Sequence, residues 1–132
     1  MAGLTLDTGA LIAAERGDRR FWAFWKEALR REVEVTVPAP VLAQVWRGAR
    51  EARLAMLIGG CRVESLDSVL AKQTGVLCGR SGTADVVDSF VVVSAGRRRD
   101  DVLTSDPDDL RRLASFEPRV GAIIDIAKLS AK

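Results

Sequence analysis

"TADVVDSFVVVSAG" (residues 83–96) is the stretch whose reading decides the fold. Its valines, Val86 and Val87 and then Val91 to Val93, have the β-branched character of a buried strand. Read at a helical period, the same residues put Val87, Phe90 and Val91 on one apolar face. Thr83 stands before them as a capping residue and Gly96 closes the run. Cap, spacing and closing glycine together predict a helix. The segments that follow then alternate: "DDVLTS" (100–105) as a strand, "DPDDLRRLASF" (106–116) as a helix, "VGAIIDI" (120–126) as a last strand.

The same alternation runs upstream. "GLTL" (3–6) reads as a short buried strand, and "TGALIAAERG" (8–17) as a helix closed by Gly17. "DRRFWAFWKEALRRE" (18–32) has Asp18 as N-cap and an apolar stripe of Phe21, Phe24, Trp25, Ala28 and Leu29. "VEVTV" (33–37) is a strand. "PAPVLAQVWRGAREARLAMLIGG" (38–60) reads as one helix, with Pro40 in its first turn, Gly59–Gly60 at its end and one face made by Val41, Val45, Gly48/Ala49 and Ala52. "CRVES" (61–65) is a short strand and "DSVLAKQTGVLCG" (67–79) a helix. Strands alternating with helices predict an α/β domain: a parallel sheet with helices on both faces. The 132 residues fit one domain, 1–132, with one core.

Composition narrows the chemistry. With 48% hydrophobic and 29% charged residues the chain reads as globular rather than disordered. No apolar run is long enough to span a membrane, and Met1 leads into "LTLDTG" without a basic and then apolar leader. Cys61 and Cys78 are too few for a disulfide framework. A reduced, cytoplasmic setting is the expectation. The chain has no His and no Tyr. That excludes a histidine general base, a Ser-His or Cys-His nucleophile and a His-ligated zinc. Neither glycine-rich phosphate loop is present. Carboxylates are the most available reactive groups, and they suit hard divalent cations such as magnesium or manganese. Sixteen of the 20 basic residues are arginine, clustered at 16–20, 30–31, 47–53, 97–99 and 111–112. That pattern tolerates a polyanionic partner, although a solvated surface accounts for it as well.

In an open parallel sheet, ligands bind outside the carboxyl ends of the strands. Asp7 ends the first strand, and Ser105–Asp106 end the "DVLT" strand. If those strands are neighbours, Asp7 and Asp106 share one crevice. Asp85 and Asp88 lie three apart at the start of the 83–96 helix, on the same side of the sheet. Carboxylates gathered in this way raise one another's pKa unless a cation joins them. Each also has a plainer reading: Asp7 as an N-cap, Asp106 before Pro107 as a cap, Asp85 and Asp108 as partners of helix dipoles. Asp88 fits a plain reading least well, because it adjoins Val87 and Phe90.

Taken in order, "LTLDTGALIAAERG", "VTVPAPVLAQVWRG", "DVVDSFVVVSAG" and "DVLTSDPDDLRRL" resemble the segments of PIN-domain ribonucleases of the VapC toxin type. The resemblance spans almost the whole chain. It implies a three-layer α/β/α sandwich around a short parallel sheet, with Mg2+- or Mn2+-dependent cleavage of RNA by a metal-activated water. It also implies a homodimer silenced by a cognate VapB-type antitoxin. By position it assigns Asp7, Asp88 and Asp106 as catalytic acids and metal ligands, with Asp85 and Asp109 as extra acids beside them. Thr104 and Ser105 match the hydroxyl residues that precede the last acid. The second family acid, a glutamate, falls on Gln44, which carries no charge and cannot act as a base. Gln44 and Ser105 are then expected to position water or the scissile phosphate, and Arg47, one turn further along the same helix, to meet the RNA backbone. The alternative that Gln44 raises is a weakened or inactive PIN-fold module that binds RNA or protein. A receiver-like phospho-acceptor is disfavoured, since Lys128 comes after the last strand.

Overall fold

In the computed structural model, which describes residues 2–48 and 51–130, strands and helices alternate along the whole chain. They are β1 (Leu4–Leu6), α1 (Thr8–Glu15), α2 (Arg19–Arg30), β2 (Val35–Pro38), α3 (Ala39–Val45) and α4 (Ala52–Gly59). There follow β3 (Arg62–Glu64), α5 (Ser68–Ser81), α6 (Val86–Arg98), β4 (Asp101–Thr104), α7 (Pro107–Ala114) and β5 (Ile123–Asp125), and a 3-10 turn over Ile126–Lys128. All five strands are parallel, in the order β3-β2-β1-β4-β5. Leu4 stands opposite both Val35 and Asp101, and Leu6 opposite Leu103. From β1 the chain walks one way to β2 and β3, then returns across the sheet to β4 and β5. Right-handed crossovers therefore place α1–α4 on one face and α5–α7 on the other. The packing agrees: α1 meets α2, α3 and α4, while α6 meets α5 and α7. This is the three-layer α/β/α sandwich expected.

The stretch at 83–96 forms a helix as expected, though it runs past Gly96 to Arg98, and its valines have a tertiary reason. Every residue from Ser89 to Gly96 is buried. A helix apolar all round is one enclosed on all sides, and α6 is held between the sheet, α5 and α7. Its start differs from expectation. The N-cap is Asp85, whose carboxylate accepts from the Asp88 N–H at 2.9 Å; Thr83 lies outside the helix and its hydroxyl accepts from the Asp85 N–H. Asp88 thus sits in the first turn, at the positive end of the helix dipole.

The single helix expected over 38–60 is instead two. Trp46 is extended (φ −67°, ψ 126°) and Gly48 has φ +138°, a conformation open to glycine but not to other residues. The face expected from Val41 through Ala52 is broken there, and Ala49 lies outside the described residues. α3 buries Val41 and Val45, and α4 buries Leu54 and Leu57. At the other helix ends, α5 runs on to Ser81 before Gly82 turns left-handed (φ +76°). Cys61 and Cys78 are free thiols. Among the described residues, no helix is long and apolar enough to cross a membrane.

At the amino-terminal side of the sheet, Arg98 ties layers together. Its guanidinium donates to Asp100 (2.9 Å), Glu64 (2.7 Å), Thr5 Oγ1 (2.9 Å) and Ser94 Oγ (2.9 Å). Arg97 pairs with Glu64 as well. Much of the "RRR" cluster is therefore engaged by acids of its own fold.

Candidate active site at the strand ends

β1 and β4 are adjacent where the strand order reverses, and the helices that leave them go to opposite faces. Such a reversal opens a crevice outside the carboxyl ends of the two strands. Asp7 follows β1; Thr104, Ser105 and Asp106 end β4 and lead into α7.

Asp7 is 5% exposed. It N-caps α1, as the plainer reading had it: Oδ1 accepts from the Ala10 N–H at 2.9 Å. Its other oxygen, Oδ2, accepts from the Thr104 hydroxyl at 2.5 Å. Thr104 is fully buried, and its Oγ1 in turn accepts from the Asp106 N–H at 2.9 Å. Burial dominates this carboxyl and pushes its pKa up to about 6 against the pull of the Thr104 and Ala10 hydrogen bonds; the charge of Asp106 adds to the rise. Asp88 is pushed up to about 7, first by burial, then by the charge of Asp85 and a side-chain hydrogen bond with it, then by the charges of Asp7 and Asp109. Through these mutual effects, acids from β1, α6 and α7 occupy one electrostatic neighbourhood: Asp7, Asp85, Asp88, Asp106 and Asp109.

Asp106 departs from its sequence reading. It holds the N-cap position of α7, with Pro107 behind it, yet its side chain makes no capping hydrogen bond. The carboxylate that looked committed to the helix is left to the crevice. Asp108, by contrast, is 94% exposed and lies 3.9 Å from Arg111. Gln44 stands on α3, where its Oε1 accepts from the Thr8 hydroxyl, next to Asp7. Ser105 is exposed beside the start of α1. A Cβ at Gly9 would lie 2.1 Å from Ser105 Oγ, so only glycine lets the two segments approach so closely. Arg47 is not on Gln44's helix: α3 ends at Val45, and Arg47 donates to the carbonyls of Ala43 (3.3 Å) and Trp46 (2.8 Å). Thr8 and Gly9 escaped the sequence reading; their signal was the small and hydroxyl pair in "DTG".

The donor set fits a hard divalent cation. It is all carboxylate oxygen, and burial first, with neighbouring acids adding to it, raises the pKa of Asp7 and Asp88, a cost that a bound cation would offset. The ligand shell is not closed, however. Among the described residues, no three acids stand together as a ready metal-binding group. Asp7 and Asp85 hold local helix caps instead.

The PIN domain family model matches residues 4–115. Among solved structures, a toxin–antitoxin complex from Klebsiella pneumoniae shares 19% identity over 94% of this chain and 99% of that one, with a TM-score of 0.68. VapBC2 from Rickettsia felis, bound to a DNA fragment from its promoter, shares 12% over 92% and 96%, with a TM-score of 0.66. FitAcB from Neisseria gonorrhoeae shares 15% over 96% and 99%, with a TM-score of 0.61. At these identities the likeness is one of fold. No curated protein matches the chain by sequence.

Proposed function

The chain belongs to the PIN domain family, and from that premise we propose that it is a Mg2+- or Mn2+-dependent endoribonuclease, the toxin of a toxin–antitoxin pair. One observation carries the reading: at the reversal point of the sheet, Asp7 feels the charge of Asp106, and Asp88 feels the charges of Asp7, Asp85 and Asp109. Asp7, Asp88 and Asp106 would hold the cation, with Asp85 assisting. When bound, the cation supplies a Lewis acid for the phosphodiester and lowers the pKa of an attacking water.

The chain's own groups do the rest. Ala10 N–H and Thr104 Oγ1 fix both oxygens of Asp7, so the carboxylate reaches the crevice in one orientation. Thr104 also fixes the backbone of Asp106. Ser105 Oγ is an exposed donor at the same strand end. With Gln44 Oε1 engaged by Thr8, its amide N–H groups are the ones left to face a phosphate oxygen.

Two of the structural neighbours are toxin–antitoxin assemblies, which supports a VapB-type antitoxin partner for this chain; a homodimer in the cytoplasm belongs to the same proposal. The purified protein, freed of antitoxin, is expected to cut RNA with Mg2+ or Mn2+ and not in EDTA, and Asp7→Asn to abolish cutting. Undiminished cleavage by that variant would end the assignment. Gln44 and the open ligand shell favour a second reading, a weakened or non-catalytic RNA- or protein-binding module. Gln44→Glu decides between them. A large gain in cleavage and Mn2+ affinity shows a weakened native site, whereas equal activity shows that another group fills the role.

A further inference from the structure

We propose that the cleft between α5 and the end of α7 is the track along which a single-stranded RNA reaches the acid crevice. This rests on the nuclease reading for its substrate class, and on separate geometry for its place. On α7, Asp109 and Arg112 are three residues apart and share one side. Asp109 is at the crevice end, where it acts on Asp88. Phe116 follows in the turn just past the C-cap Ser115, at the other end of α7.

Arg112 bridges to the facing helix by donating to the Ser81 carbonyl at 2.9 Å. Beyond it opens a cleft of about 300 Å³ lined by Lys72, Arg80, Phe116 and Arg119, with Glu117 its one acid. Arg119 is engaged by Glu117. Arg80 lies over the Phe116 ring, 6.0 Å from its centroid, and its charge also acts on Glu117, while Arg112 donates to a carbonyl. Lys72 and Arg112 thus keep their charge for a phosphate backbone, Arg80 shares its charge with Glu117, and a partly buried ring gives a base a surface to stack on. Two larger grooves, of about 490 and 520 Å³, differ in this respect: both are lined by arginines 62, 97 and 98, which are bound to Glu34, Glu64 and Asp100.

The test is binding of a fluorescent single-stranded oligoribonucleotide in EDTA, where nothing is cut, across a salt series. Lys72→Gln/Arg80→Gln/Arg112→Gln should flatten the slope of log K against log salt by about 2, given ~0.7 per phosphate contact on single strands. Phe116→Leu should weaken binding about tenfold at every salt concentration. Arg62→Gln, whose charge is already paired, should leave the slope alone. Thermal melts establish that each variant is folded, and photo-crosslinking of a thiouridine oligonucleotide to the wild type should label the peptide holding Phe116. An unchanged slope with crosslinks elsewhere overturns the track. So does a triple variant that turns a dimer into a monomer, which would make the cleft an interface between copies. Cleavage measured separately with Mg2+ tells the two readings apart. A cutting enzyme with an unchanged slope loses the track alone, and a non-cutting protein with a flattened slope loses the nuclease alone.

Discussion

Asp7→Asn should make the metal-free protein more stable at neutral pH while removing its activity. In the folded chain the Asp7 carboxyl titrates near 6, against 3.8 in the open chain, because burial disfavours its charge. At ~1.36 kcal/mol per pH unit, that gap corresponds to about 3 kcal/mol of destabilisation once the group is ionised in both states. The sign follows from proton binding. The folded state holds this proton more tightly, so its contribution is fully favourable below pH 3.8 and is lost as pH rises through 6. Asparagine keeps the Oδ1 acceptor for Ala10 but replaces the oxygen that accepts from Thr104, which costs about 1 kcal/mol. A net gain of about 2 kcal/mol remains at pH 7.5, or a Tm higher by about 6 °C for a chain of this size. Thermal melts in EDTA from pH 3.5 to 8 read it directly. The offset should be near its full size above pH 6 and shrink or reverse below pH 4. Adding Mn2+ should raise the Tm of the wild type and not of the variant. A variant that melts below wild type at pH 7.5, or an offset independent of pH, would refute the claim that Asp7 carries an uncompensated buried charge.

Other perturbations test the supports of the site. Thr104→Val removes the donor to Asp7 and the acceptor for the Asp106 N–H in one step, and should cost about 1 to 3 kcal/mol in urea unfolding at pH 7.5, with the Asp7 titration moved further up. Gly9→Ala should destabilise by about 1 to 3 kcal/mol through collision with Ser105; Ser105→Gly in the same chain should recover part of that loss, which a simple helix-propensity effect would not. Arg98→Ala leaves Asp100 and Glu64 without their shared partner and should cost about 3 kcal/mol or more. Denaturant melts on a variant that retains native circular dichroism are the measure.

Most of the fold could be read from the chain because its signals were local. Asp18 caps α2 and the stripe of Phe21, Trp25 and Ala28 is its buried face. The helix at 83–96 could be recognised in spite of its valines. What failed were boundaries set by single backbone torsions. Nothing in "QVWRGARE" announces that Trp46 turns extended and Gly48 adopts φ +138°, so a continuous helix was the natural reading. At the site, residue types pointed to Asp7, Asp88 and Asp106, and resemblance ordered them. The role of Thr104 as a bridge between two acids, and the approach of Gly9 to Ser105, depend on segments 97 and 96 positions apart.

By itself the sequence determined the alternation of strands and helices, the absence of histidine chemistry and the supply of carboxylates at strand ends, since each follows from residue type and short-range spacing. Only the tertiary structure decided that β1 and β4 lie side by side, that Asp7 is buried while Asp106 makes no capping bond, and that Asp88 shares its field with acids from three elements. Charge and burial act through space. Whether a carboxylate is an ordinary cap or part of a negative crevice depends on what the fold brings within a few ångströms of it.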